Sequence, residues 1–301
     1  MKYFITRQED QRLDPAARPQ LRGDFVELSD GFTQYELTGP DDGEVVVFTG
    51  GITIPLAYWD ELVSDLHAQG LRTLTYSGYG RGCSDRLQTP YDESLFVRQL
   101  VELTVRLDLP RPHHVVGTSM GALVAMAYAL RQTDSVSTLT VVGPAGLLRQ
   151  PPWQKALLHA GPLTGVIAKR LGHRLLEGHL SHNVRDPQRA AELTEMVREA
   201  YRYEGSMFAF FSTLQNFPLS GRTELYSRTS QLGIPTLLVW GDDDQVTPIE
   251  NLGLAQQLLQ PDRTHIIEEC GHMAPLERPT AVADHIVSFL TSSTPRGSTN
   301  E

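Results

Sequence analysis

Along this chain the spacing of apolar positions changes several times, and each change marks an element. Phe25–Leu28 and Phe32–Thr38 are short runs of β character, joined by the turn signal Ser29-Asp30-Gly31. Pro40-Asp-Asp-Gly43 is a second turn. Val45–Phe48 then is apolar at every position, the pattern of a strand buried on both faces. Leu56–Ala68 steps at helical spacing through Leu56, Trp59, Leu62, Val63 and Leu66, and closes at Gly70. Strand Leu71–Tyr76, helix Glu93–Leu107, strand His114–Gly117, helix Met120–Arg131 and strand Val136–Val142 follow. This alternation predicts an α/β fold, a mostly parallel sheet with helices on both faces.

The alternation stops after Gly143-Pro-Ala-Gly146. Residues 147–218 carry helical patterns without strands. One opens at Asp186-Pro187, with Asp at the N-cap and Pro in the first turn. Its apolar positions Ala190, Leu193, Val197, Ala200 and Tyr201 step by three and four. Strand Pro235–Trp240, strand Thr264–Ile267 and helix Thr280–Leu290 restore the alternation. The predicted organisation is an irregular polar arm over 1–21, an α/β core over 22–146 and 219–290, and an all-helical insertion over 147–218. A Ser/Thr/Gly-rich tail over 291–301 is expected to be disordered. A cleft between core and insertion is the expected ligand site.

Composition narrows the classes. Apolar residues are 40% of the 301 and charged residues 21%, which fits a globular chain and neither a disordered nor a coiled one. Lys and Arg number 26 against 36 Asp and Glu, a net charge of −10 with no basic stripe. That argues against a nucleic-acid partner and against an anionic membrane surface. Cys83 and Cys270 cannot build a disulfide framework. The N-terminal stretch lacks the apolar run of a signal peptide, and no window is apolar enough to span a membrane. The expectation is a soluble, acidic, globular protein of the cytoplasm, and composition by itself gives no function.

The sharpest chemical signal is Gly117-Thr118-Ser119-Met120-Gly121, between the strand ending Val115-Val116 and a helix. A serine on so tight a strand-to-helix turn has its hydroxyl pushed outward, beside a helix N-terminus that favours negative charge. Serine is a poor nucleophile unless a base takes its proton and an acid orients that base. On an α/β sheet the expected order is Ser, Asp, His. Gly241-Asp-Asp-Asp244-Gln-Val-Thr-Pro248 and Cys270-Gly271-His272-Met273 follow the next two strands, where sites on such sheets form.

These stretches resemble the α/β-hydrolase superfamily over residues 22–290, with the helical insertion as its cap. The resemblance is carried by Gly-Tyr-Gly-Arg-Gly-Cys-Ser-Asp-Arg (78–86), Gly-Thr-Ser-Met-Gly (117–121), Trp-Gly-Asp-Asp-Asp-Gln-Val-Thr-Pro (240–248) and Gly-His-Met-Ala-Pro-Leu-Glu-Arg-Pro (271–279). It implies Ser119 as nucleophile, His272 as general base and then acid, and Asp244 as the orienting carboxylate. Asp244 is chosen from the acidic triplet because the family pattern Gly-x-x-Asp-x-x-x-Pro fits Gly241 to Pro248. The resemblance further implies oxyanion donors at the backbone N–H of Met120 and of Ile52, with Gly51 as second choice. Where the family usually has His-Gly-x, this chain has Thr49-Gly50-Gly51-Ile52. No metal and no cofactor are implied.

The function implied is hydrolysis of a carboxylic ester, lactone or thioester of a fairly apolar small molecule through an acyl-enzyme. The Ser-Met-Gly stretch equally resembles hydrolases of carbon–carbon bonds in ring-cleavage diketones, and a cyclase or a ligand-binding protein could use the same scaffold. Relatives with an Asp nucleophile, haloalkane dehalogenases and epoxide hydrolases, are discounted by Ser119. Asp242 and Asp243 read as turn residues. His173, His179 and His182 with Glu177 lack the spacing of a metal motif. Cys83 and Cys270 are given no catalytic role. Trp153, Leu157, Leu158, Met207, Phe208, Phe210, Phe211 and Phe217 are expected to pack the cap, with some facing the cleft.

Overall fold

The computed structural model describes residues 1–148, 162–180 and 183–293. Eight strands form one sheet: β1 (Asp24–Glu27), β2 (Phe32–Thr38), β3 (Val45–Thr49), β4 (Arg72–Tyr76), β5 (His113–Thr118), β6 (Val136–Val142), β7 (Thr236–Gly241) and β8 (Arg263–Ile267). Their order is β1-β2-β4-β3-β5-β6-β7-β8. β1, β2 and β4 pair antiparallel, and from β4 to β8 every pair is parallel. The strands that read as apolar throughout are the central ones. Val45–Phe48, Val115, Val116 and Leu237–Trp240 are all buried, and Val47 lies opposite both Leu74 and Val115.

Ten α-helices accompany the sheet among the described residues: α1 (Asp60–Ala68), α2 (Glu93–Arg106), α3 (Met120–Arg131), α4 (Pro162–Leu180), α5 (Pro187–Ala200), α6 (Ser206–Asn216), α7 (Thr223–Ser230), α8 (Leu252–Leu259), α9 (Ala274–Glu277) and α10 (Pro279–Ser293). Helices cover both faces, with α1 packed on α10 in one layer and α2, α3, α7 and α8 in the other. α4, α5 and α6 form the helical cap between β6 and α7. None of the described helices is long and apolar enough to cross a membrane.

Three local differences from the sequence expectation have physical causes. The helix expected over Leu56–Ala68 begins as a 3-10 turn, Leu56–Trp59, and becomes α-helical only at Asp60. In 3-10 geometry residues three apart superpose, so Leu56 and Trp59 are buried on the same side. The last helix continues to Ser293, three residues into the segment expected to be a disordered tail. Residues 294–301, and Trp153, Leu157, Leu158 and His182, lie outside the described residues. The N-terminal arm is irregular apart from the turn Arg18–Gln20, yet it is anchored. Phe4 is buried edge-on against Phe208, and the buried Glu9 carboxylate accepts from the Met207 N–H at 2.8 Å.

Asp186 caps α5 as its sequence predicts, accepting from the N–H groups of Gln188 and Arg189. Leu193, Val197, Ala200 and Tyr201 are buried. Burial also accounts for the aromatic run of α6: Met207, Phe208, Phe210 and Phe211 are all within the core.

Candidate active site

The parallel strands end on one side of the sheet, and β5, β7 and β8 each deliver a polar residue there. Ser119 sits between β5 and α3 with φ +54° and ψ −118°, a positive φ that costs a non-glycine residue about 1–3 kcal/mol. Its surroundings over-determine that conformation. The Ser119 N–H donates to the Val142 carbonyl at 3.0 Å, and its carbonyl accepts from Ala122 and Ala145 N–H groups at 3.2 Å each. The flanking glycines are required by close approach. A Cβ at Gly121 would lie 2.1 Å from the Thr49 carbonyl oxygen, and one at Gly117 would lie 2.6 Å from that of Gly121.

Asp244 and His272 are 3% and 2% exposed, and His272 Nδ1 lies 2.8 Å from Asp244 Oδ2. The carboxylate is saturated with donors. Asp244 Oδ1 accepts from the N–H groups of Val246 (2.8 Å) and Thr247 (2.7 Å), and Oδ2 accepts from the Thr247 hydroxyl at 2.7 Å. A carboxylate so satisfied is held in one orientation. The acidic triplet divides as its pattern suggested. Asp242 is exposed and takes the Cys270 N–H at 3.0 Å, and that bond holds its carboxyl below the usual carboxylate range. Asp243 is also exposed, and only Asp244 reaches a histidine.

The loop bearing His272 is fixed from the cap. His272 and Met273 both donate their N–H groups to the Asn183 carbonyl, at 2.9 and 3.1 Å. Glu277, buried just beyond, accepts from Gly271 (2.9 Å) and from Arg185 (2.8 Å), bridging the loop to the start of the α5 segment. Burial pushes the Glu277 carboxyl up from its ordinary value.

A cavity of about 420 Å³ opens beside Ser119. Ser119, Met120 and Ile52 line it, and so does Thr247, whose hydroxyl touches Asp244 and lies 3.3 Å from His272 Nδ1. Its remaining wall is mostly apolar, with Leu148, Leu175, Phe210, Phe211, Leu214 and Leu219 among the lining residues and Ser220 beside them. None of the described residues lining it is charged. Met120 begins α3, so its N–H is one of the helix's unpaired donors. Gly51 lies closer behind the serine: a Cβ there would sit 3.4 Å from Ser119 Cβ.

Phe210 and Phe211 therefore face the cavity, whereas Phe208 packs on the N-terminal arm. Cys270 is buried and Cys83 half-buried, and burial raises both thiols. His173 contacts the Thr6 hydroxyl at 3.0 Å. No group of three or more metal-ligating side chains converges among the described residues. Three contributors carried no functional signal in the sequence: Thr247, Glu277 and Arg81. All three stood inside the matched stretches, but their roles depend on partners that folding brings to them.

The chain belongs to the alpha/beta hydrolase family, whose profile matches residues 46–285. It is 27% identical over 194 residues to monoacylglycerol lipase ABHD6 of Bos taurus, covering 60% of this chain and 56% of that protein. The chain thus spans little more than half the length of the monoacylglycerol lipases it matches. It is 29% identical over 289 residues to the 2-hydroxy-6-oxononadienedioate/2-hydroxy-6-oxononatrienedioate hydrolase of Cupriavidus pinatubonensis, covering 88% of this chain and 94% of that one. In fold it is similar to an esterase from Exiguobacterium antarcticum, with a TM-score of 0.75 at 22% identity over 89% of this chain and 99% of that one. The enol-lactonase from Burkholderia xenovorans LB400 gives 0.74 at 19% identity, over 89% and 100%.

Proposed function

We propose that this protein is a serine hydrolase that cleaves a carboxylic ester, or a lactone or thioester, of a fairly apolar small molecule. The observation that carries this reading is a strained serine lining a largely apolar cavity of about 420 Å³, whose wall also holds Thr247, the residue that contacts the buried His–Asp pair. The size is that of an ordinary small-molecule site.

Ser119 Oγ attacks the carbonyl carbon while His272 Nε2 takes its proton. Asp244 accepts the Nδ1–H, fixes the tautomer and stabilises the imidazolium. The carbonyl oxygen becomes an oxyanion facing the N–H groups of Met120 and Ile52, at the positive end of α3. Collapse of the tetrahedral intermediate expels the alcohol, which His272 protonates. His272 then takes a proton from water as the water oxygen attacks the acyl-serine, and on collapse returns it to Ser119 Oγ, so that the acid leaves and the free serine is restored.

Cleavage of a carbon–carbon bond is the second reading, favoured by the length of the match to the ring-cleavage hydrolase. That relative's name specifies a dicarboxylate. The described lining is mostly apolar, which favours a fairly apolar ester. Ser119→Ala is expected to lower the kcat for p-nitrophenyl octanoate by about 10⁴-fold or more, with the fold unchanged. A fluorophosphonate should label Ser119 in the native chain. Turnover undiminished in Ser119→Ala would overturn the assignment. Faster cleavage of a vinylogous diketone than of the ester would favour the second reading.

A further inference from the structure

Arg81 lies in the loop after β4, 1% exposed, in a stretch whose role in the reaction is unassigned. Its guanidinium makes three directed bonds. Nε donates to the Ile52 carbonyl at 2.9 Å, Nη1 to the Tyr79 carbonyl at 2.8 Å, and Nη2 to Thr213 Oγ1 at 2.8 Å. The Phe96 ring covers it, with its centroid 5.0 Å from Cζ. No carboxylate lies within ion-pair distance among the described residues, and burial pushes the guanidinium pKa down from its ordinary value. Arginine nonetheless stays charged in proteins. A fully buried charge with no counter-ion is costly to keep. Packing alone would be served better by methionine.

The groups it joins explain its retention. Ile52 follows Gly50-Gly51, a pair with unusual backbone freedom. The Ile54 N–H reaches the Gly51 carbonyl only at 3.4 Å, so the loop's own turn bond is long. Arg81 fixes the carbonyl of Ile52 and thereby its ψ. On the other side Thr213 belongs to α6, the cap helix that presents Phe210, Phe211 and Leu214 to the cavity. The Thr213 hydroxyl proton is committed to the Ala209 carbonyl at 2.8 Å, leaving a lone pair for Arg81. The fork thus spans the oxyanion loop and the cap, with Arg81 and Thr213 132 residues apart along the chain.

We propose that Arg81 is a positioning residue that locks the Gly50–Ile52 loop to cap helix α6, holding the Ile52 N–H where the oxyanion forms. This assignment rests on the serine-hydrolase reading above. An oxyanion donor displaced by a fraction of its bond length stabilises the transition state less while leaving substrate binding almost unchanged.

The test measures kcat and KM with p-nitrophenyl octanoate for Arg81→Met, Thr213→Val and Thr213→Ser, with melting curves and circular dichroism to count folded protein. Arg81→Met and Thr213→Val should each lower kcat roughly 10- to 100-fold with KM changed less than about threefold, the signature of an interaction made in the transition state. Thr213→Ser keeps the hydroxyl and should restore most of the loss. A folded Thr213→Val with the native kcat, a loss confined to KM, or a Thr213→Ser no better than Thr213→Val would each overturn the proposal. If Arg81→Met does not fold, the two Thr213 variants decide, since both keep the guanidinium. Ser119→Ala separates this failure from a wider one. Turnover surviving in it overturns the serine-hydrolase reading itself, whereas its loss beside an unaffected Thr213→Val overturns only the role of Arg81.

Discussion

Thr247 lies at the point where catalysis is proposed. Its N–H and its hydroxyl take one oxygen each of Asp244, at 2.7 Å in both cases, and its side chain lies in the cavity wall. The hydroxyl bond leaves Asp244 Oδ2 to be shared between Thr247 and His272 alone among the described residues. Thr247→Val is nearly isosteric but removes that donor, so the carboxylate is freer to rotate away from the imidazole. The expected result is a kcat about tenfold lower with KM nearly unchanged, since a hydrogen bond to a charged group is worth about 1.5–3 kcal/mol before compensation. A Thr247→Ser variant should recover most of the loss, and Michaelis kinetics on both variants check it. Asp244 could be chosen from sequence because its spacing to Pro248 fits a pattern. Thr247 and Arg81 could not, because a hydroxyl or a guanidinium acquires a role only from partners that folding supplies.

At the level of elements, continuous apolar runs made the central strands legible. Val45–Phe48 and Leu237–Trp240 have no polar residue to suggest an exposed face. Asp186-Pro187 was legible for a local reason, since capping is decided within three residues. The 3-10 turn at Leu56–Trp59 was not, because its apolar spacing overlaps that of the helix it leads into. The docking of the His272 loop on the cap is a long-range property, and Glu277 controls it. Its carboxylate collects the N–H groups of Gly271 and Arg185, with Asp186 at 3.4 Å. Glu277→Ala strands these donors in a buried place, where each unsatisfied group costs about 1–3 kcal/mol. The variant should lose roughly 2–4 kcal/mol of stability in urea unfolding on that basis. A loss below the resolution of the measurement would show that the loop is held by the Asn183 carbonyl alone.

For the molecule as a whole, stability depends on pH through buried titratable groups. His113 and His114 open β5 far along the strand from Ser119, and both are buried. His113 Nδ1 faces the Pro110 carbonyl at 3.1 Å and Nε2 the Tyr128 hydroxyl at 3.0 Å, a pairing that suits the neutral ring. His114 Nδ1 meets the Thr138 hydroxyl at 2.9 Å, and its Nε2 is 3.5 Å from the more exposed Glu44 carboxylate. Burial lowers both pKa values from 6.5, and Glu44 opposes the effect only at His114. The sign follows from linkage. Between the lowered folded pKa and 6.5 the unfolded chain binds more protons than the native one, so stability falls as pH drops through that window. Buried Glu9 and Glu277, both raised, bend the curve the other way, so the histidine contribution is isolated by difference. His113→Gln keeps a polar side chain at the position but does not titrate. Its melting temperature should fall less than that of the native chain between about pH 7 and about pH 5.5, and the ring signals of His113 should titrate below 6.5 by NMR. An equal or larger fall in His113→Gln would remove His113 as the source of the acid sensitivity.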